Sequence, residues 1–214
     1  MSGIMREALL SWALNDTPQA PLLCSAGEEE ALLLGHMVAS GLVDDADKVR
    51  SIRREGDGWQ VRAELCAQAS LPALRRLEAL KPLDGGFVAP SAAIVRRCEQ
   101  AMAAERGAGL HTVLLGIGER TALGRDIGRH NALEKAVGSA LRESLDLGHA
   151  ILAASSRLSL EMLAKAAFAG IPILVTQKQV GSLCVLHAQR LNIAVCRLEA
   201  ALRPLSCPER VRDE

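Results

Sequence analysis

Tyrosine is missing from this chain altogether, and two phenylalanines and two tryptophans bring aromatics to only 2% of its 214 residues. A platform that stacks bases needs several such rings, so a single-strand nucleic-acid binder of that type is not expected. Net charge is missing too, because 25 Lys and Arg offset 25 Asp and Glu. That balance argues against nucleic-acid binding by bulk electrostatics and leaves only a local basic groove open. No apolar run approaches the ~20 residues of a membrane span, and no basic-then-apolar leader opens the sequence. Six cysteines are scattered without a CxxC pair or zinc-finger spacing, so no structural metal is expected. The HxE…PCxxC signature of zinc deaminases is also absent. Together these absences predict a cytoplasmic protein with reduced thiols and no membrane association. Most of the cysteines are then small core hydrophobes.

What is present is a globular composition, 49% hydrophobic and 23% charged, at a length that suits one large domain or two small ones. A mildly apolar lead runs to Thr17. A short strand is predicted at Leu22–Cys24, then a helix through EEEALLLGHMVASGL. Ser25 and Glu28 have the spacing of a capping box, and Gly41 is its stop. His36 reads as a residue on the polar edge of that helix. Asp44, Asp45 and Asp47 lack the glycine and bidentate glutamate of a calcium loop and read as solvated. Lys48–Ile52 and Gly58–Leu65 read as a hairpin turning at EGDG, with Trp59 and Val61 on one face.

The sequence changes character near Ser70, which predicts a small α+β unit over 1–68 and an α/β unit over 69–214. Ser70 is a candidate cap for a helix with Pro72 in its first turn. A second helix starts at Ser91, with Cys98 on its apolar stripe and Gly107 and Gly109 breaking the chain after it. From His111 on, apolar strands alternate with helices: HTVLLGI, RTALGRD, ALEKAVGSALRESL, HAILAAS, SLEMLAKAAFAG, PILVT, QVGSLCVLHAQRL, NIAVCRL, and a last short strand near Leu205. This alternation predicts a largely parallel sheet covered on both faces. In such sheets ligands bind beyond the carboxyl ends of the strands. The polar turns Asp126–Asn131, Ser155–Arg157 and Thr176–Lys178 all fall there.

In RDIGRHNALEK, a glycine-opened turn leads into a helix whose first turn carries Arg129, His130 and Asn131. Free N–H groups and the positive dipole end make this a candidate anion site. The competing reading is that Asn131 caps the helix and His130 rests beside Asp126. Arg157 can grip a phosphate with its fork, helped by the Ser155 hydroxyl, or it can be a surface residue beside a Ser159 cap. Lys178 is a point charge at the equivalent turn. His111 opens the first long strand and can share a polar site with His130. Cys66, in ELCAQAS just before a predicted helix start, is the candidate catalytic thiol, since a helix N-terminus favours the thiolate.

RDIGRHNALEK, SSRLSLEMLAKAAFAGIPILV and GLHTVLL, with PLLCSAGEEEALLLGHMVASGLV before them, resemble the FdhD family, the formate dehydrogenase accessory sulfurtransferases. The resemblance runs from about Leu22 to Val211. It implies a cytidine deaminase-like layered α/β core with a smaller N-terminal α+β domain, and a homodimer. It implies a sulfur carrier that takes sulfur from a cysteine desulfurase and passes it to the molybdenum cofactor, molybdopterin guanine dinucleotide, before insertion into apo-formate dehydrogenase. GDP would be a mimic of that cargo. Asp126, Arg129, His130, Asn131, Ser155, Arg157, Lys178 and Arg197 would hold the cofactor, and Cys66 would carry sulfur. The chain departs from the family in several places. Ala63 stands where the family has the first cysteine of a CxxC pair, and Cys66 falls on the second. Lys178-Gln179-Val180-Gly181 replaces an S-A-P-T turn, Cys196-Arg197-Leu198-Glu199 replaces an F-x-R-G segment, and Arg125 replaces an acidic residue. The alternative implied by the missing cysteine is a paralog that binds cofactor or apo-enzyme as a chaperone without moving sulfur.

Overall fold

The computed structural model describes residues 6–105 and 109–213; Gly107, expected as a chain break, lies outside them. The N-terminal lead is not featureless. It forms strands β1 (Glu7–Leu10), β2 (Trp12–Leu14) and β3 (Thr17–Pro18), followed by β4 (Leu22–Ser25) and helix α1 (Glu29–Ala39). Next come β5 (Val49–Glu55), β6 (Gly58–Ala63) and α2 (Ala73–Ala79). β5 and β6 are the predicted hairpin, and β2 joins β6 in parallel to extend it. β1 pairs with β4 as a separate two-stranded ribbon.

The second half contains β7 (Ala89–Pro90), α3 (Ser91–Glu105), β8 (His111–Ile117), β9 (Arg120–Asp126), α4 (Arg129–Arg142), β10 (Ala150–Ala154) and α5 (Leu160–Phe168). It closes with β11 (Ile173–Thr176), α6 (Ser182–Arg190), β12 (Ala194–Leu198), β13 (Leu202–Ser206) and β14 (Val211–Arg212). The main sheet has the order β13-β12-β11-β10-β8-β9. Only β10, β11 and β12 run parallel, while β8, β9 and β13 are antiparallel to their neighbours. The expectation of a largely parallel sheet is therefore corrected to a mixed one. Its cause is the two-residue link at Gly118–Glu119, which is too short for a crossover and permits only a hairpin between β8 and β9.

Ile151, Ala153, Ile173 and Val175 face α3 on one side. Leu152, Ala154, Leu174 and Val195 face α4, α5 and α6 on the other. This double burial explains why the strands read as continuous apolar runs, and it gives the layered α/β architecture. One apolar core runs from Leu10, Trp12 and Leu14 through Leu33 and Met37 to Val195, crossing the change of character near Ser70.

Helix α1 forms a third layer outside α4. The two backbones touch. A methyl group at Gly35 would lie 1.8 Å from the Glu134 carbonyl oxygen, and one at Gly138 would lie 1.9 Å from that of Ala31. Helix α4 is thus enclosed by the sheet on one side and α1 on the other. Two predicted caps are corrected. Glu28, not Ser25, precedes α1 and takes a left-handed conformation without a side-chain cap. Pro72 precedes α2, and Ser70 stays exposed ahead of it. Ser159 does cap α5, accepting from the Met162 N–H at 3.4 Å. No helix among the described residues is long and apolar enough to cross a membrane.

Candidate functional site

The turns after β9, β10 and β11 all leave the same edge of the sheet, and direct bonds tie them together. Thr176 Oγ1 donates to the Ser156 carbonyl at 2.8 Å. The Leu158 N–H donates to Gln179 O at 3.1 Å, and the Gly181 N–H to Leu158 O at 2.9 Å. His130 Nε2 at the head of α4 lies 3.1 Å from Glu161 Oε2 at the head of α5 without forming a directed hydrogen bond. The amino ends of α4, α5 and α6 therefore gather at one place. Gly128 and Gly181 precede α4 and α6 without a side-chain cap, so N–H groups of those first turns have no side-chain acceptor.

Within this cluster the predicted site residues divide into two groups. Asp126 is fully buried, accepts three hydrogen bonds and forms one ion pair. Its Oδ1 takes the Gly128 N–H at 2.9 Å and Asn131 Nδ2 at 3.0 Å; its Oδ2 takes the Ser25 N–H at 2.9 Å and lies 2.9 Å from the Lys135 Nζ. Both carboxylate oxygens are engaged within the fold, so Asp126 positions the turn. Asn131 is not a helix cap either. It binds Asp126 and the Leu23 carbonyl, the latter at 2.7 Å, and so stitches β4 to α4. Ser25, the supposed cap of α1, belongs to the same network, with its Oγ accepting from the Ile127 N–H at 3.1 Å. Ser155 is buried, and its Oγ accepts from the Thr112 N–H at 2.9 Å, which extends the β8–β10 ladder.

The second group stands outside this network. Arg129 is half-buried with its Nε unpartnered. Arg157 and Lys178 are exposed. Arg197 is paired with Glu199 at 2.9 Å. Burial, then the cations Arg129 and Lys165, push the His130 imidazole below its ordinary value, so it is held neutral. His111 sits opposite Asp126 in the β8–β9 ladder.

Sequence reading missed the charged floor of an adjoining cavity. A space of about 610 Å³ opens between α1, α2, α4 and α5, with His36, Arg76, His130, Glu134, Lys165 and Phe168 among its lining. Glu134 is 2% exposed and is gripped by Lys165 Nζ at 2.5 Å and His36 Nδ1 at 2.9 Å. Burial alone would raise its carboxyl, but His36 and Lys165 outweigh burial and bring it down to about 2. His36 is thus no polar-edge residue. A signal for these groups was available: ALEKAVGSAL carries apolar or small residues almost all round. A helix of that kind is enclosed, so Glu134 and Lys135 had to be buried and paired.

Cys66 is not among the residues lining this cavity and occupies a turn packed on the segment that follows α1. Its N–H donates to Leu42 O at 2.9 Å, and its Sγ to Gly41 O at 3.2 Å. Gly41 in turn lies against the Phe168 ring that lines the cavity. The helix-start argument for Cys66 is corrected, because α2 begins only at Ala73 and the thiol rests on the carboxyl end of α1. Five of the six cysteines are buried, and Cys66 alone is half-exposed. Burial pushes Cys98 up to about 11 and Cys184 and Cys196 up to about 12, so those three stay protonated and unreactive. Among the described residues no group of three or more His, Cys, Asp or Glu is arranged to hold a metal ion.

Comparison with known proteins gives a consistent set of relatives. The model of the FdhD/NarQ family matches residues 88–201. The sulfur carrier protein FdhD of Streptomyces avermitilis is 30% identical, with 85% of this chain and 78% of that protein aligned. Those of Anaeromyxobacter dehalogenans and Mycobacterium bovis are 34% and 37% identical over 62% and 61% of this chain. In both of these the chain spans only half of the relative's length. A crystal structure of a protein assigned as a formate dehydrogenase accessory protein from Desulfotalea psychrophila superposes with a TM-score of 0.83. It covers 97% of this chain and 90% of that one at 24% identity, which establishes a shared fold.

Proposed function

We propose a sulfur-carrier role in formate dehydrogenase maturation for this chain, which belongs to the FdhD/NarQ family. The observation that carries the reading is the contrast among the thiols: five are sealed in the core, and Cys66 alone is half-exposed. In the proposed step the Cys66 thiolate attacks the outer sulfur of a persulfide on a cysteine desulfurase. The donor's S–S bond breaks, its thiolate leaves, and a new S–S bond forms on Cys66, with no net oxidation. The thiol must first give up its bond to Gly41 O. The proposed recipient is molybdopterin guanine dinucleotide, held as cargo before insertion into apo-formate dehydrogenase. Arg129, Arg157 and Lys178 would meet its phosphates, with the open first turns of α4 and α6 adding N–H donors. Asp126, Asn131 and Lys135 fix the turn that presents Arg129.

Incubation with a cysteine desulfurase and L-cysteine, followed by cyanolysis, tests the carrier role. Sulfane sulfur is expected on the unaltered chain and absent from Cys66→Ala. Equal sulfur on both would remove Cys66 from the scheme. Calorimetry with GDP tests the cargo site: Arg129→Ala should weaken binding about tenfold or more, and no affinity in the unaltered chain would refute it. The chaperone reading is favoured by one feature, Ala63 at the first position of the family's cysteine pair. It requires that Cys66→Ala still support formate dehydrogenase in a strain lacking its own carrier.

A further inference from the structure

The cavity between α1, α2, α4 and α5 has a charge balance that sulfur transfer and phosphate binding leave unused. Its volume of about 610 Å³ falls among small-molecule sites, which span roughly 300–1,000 Å³. Arg129, Arg157 and Lys178 are all absent from its lining. Leu74, Leu77, Leu160, Ala164 and Phe168 give it apolar walls. On its floor the Glu134 carboxylate is already met by Lys165 Nζ at 2.5 Å and His36 Nδ1 at 2.9 Å. Lys165 also reaches Ser40 Oγ at 3.3 Å. One buried anion and one cation thus cancel there. His130, held neutral, lies beside Glu161, whose side chain is 72% exposed.

Arg76 is the charge left over. It lines the cavity half-buried, with its guanidinium carbon 6.0 Å from the centre of the Phe168 ring. Its Nη1 donates to the backbone carbonyls of Ala69 and Leu71, and neutral carbonyls do not cancel a charge. Nη2 enters neither bond, and Nε is buried without a hydrogen-bond partner. Glu78, one turn away, pairs with Arg75 instead, at 3.1 Å, and no carboxylate among the described residues pairs with Arg76. A guanidinium with an open edge beside an apolar space favours an anion, and a carboxylate matches the fork of that edge. A cationic guest would meet Lys165 and Arg76 on its way to a Glu134 already neutralised. We propose that the cavity binds a small aliphatic carboxylate, its charged end on the Arg76 guanidinium and its apolar chain along Leu74, Leu77, Leu160 and Phe168. The carboxylate end goes to Arg76 and not to His130, where Glu161 would repel it.

Calorimetry with three compounds of one chain length tests this: hexanoate, hexanol and hexylamine at neutral pH. The unaltered chain should bind hexanoate at least about tenfold more tightly than either of the others. Arg76→Gln should remove that advantage, and Ala164→Phe, which fills the cavity from α5, should abolish hexanoate binding. Arg75→Gln, at the neighbouring cation that already has its partner, should leave hexanoate affinity within about twofold. No binding of hexanoate to the unaltered chain overturns the proposal, as does binding no tighter than that of hexanol or hexylamine. This comparison needs no variant, so it decides the sign of the guest even where Arg76→Gln loosens the turn it holds. Hexanoate affinity unchanged in Ala164→Phe would put the bound acid elsewhere and also overturn the proposal.

Discussion

The carboxylate of Asp126 and the thiol of Cys66 are the most informative polar groups of the molecule, and their surroundings are opposites. Asp126 is buried, accepts three hydrogen bonds and is paired with a lysine that is itself 1% exposed. Cys66 sits half-exposed in a turn, with a single bond from its sulfur. Polar groups that determine shape are saturated and cannot react. The one thiol outside the core is held by a single bond from its sulfur. The same division runs through the predicted cofactor residues, with Asp126, Asn131 and Ser155 on the inner side and Arg129, Arg157 and Lys178 on the outer.

This contrast can be broken from the inside first. Lys135→Met removes one partner of the buried pair and strands the other charge, which should cost about 3–5 kcal/mol in urea unfolding. The double variant with Asp126→Asn should recover part of that loss. A Lys135→Met variant as stable as the parent would mean the network does not hold α4 in place.

Acid reaches the next layer. The Glu134 carboxyl is held at about 2 against an ordinary 4.5, so the folded state favours its ionised form. The stability it contributes is complete above about pH 4.5 and is lost as pH falls through about 2, a change on the order of 3 kcal/mol. Urea midpoints measured across that window should fall less steeply in Glu134→Gln, and parallel curves would discount the network with His36 and Lys165. Gly138→Ala forces the α1 and α4 backbones apart at their contact, for about 1–3 kcal/mol, again read from urea midpoints.

The smallest effect on stability belongs to the outer side. Cys66→Ala should cost less than about 1 kcal/mol yet remove the one thiol that iodoacetamide labels in the folded chain. Rapid labelling of Cys98 or Cys184 without unfolding would contradict the division between sealed and open thiols.

The layers of the sheet were legible in the sequence because buried strands and enclosing helices leave strong apolar periods. The direction of β8 and β9 was not, since alternating patterns look alike in a hairpin and a crossover and only the length of the Gly118–Glu119 link separates them. The converging turns were legible as polar breaks after apolar runs. The inward role of Asp126 was not, because its partners Ser25, Asn131 and Lys135 come from three separate stretches. The tether from Cys66 to Gly41 was hidden for the same reason, and the local signal pointed to a helix start that the chain delays to Ala73.

One consequence of sealing five thiols inside the fold concerns oxidative damage. An oxidant that strikes Cys66 finds no second open thiol in the same molecule with which to close a ring, so any disulfide formed there takes its second sulfur from an outside thiol. In a non-reducing gel the folded protein would then run either unchanged or as a covalent pair, and never as a faster, internally bridged band.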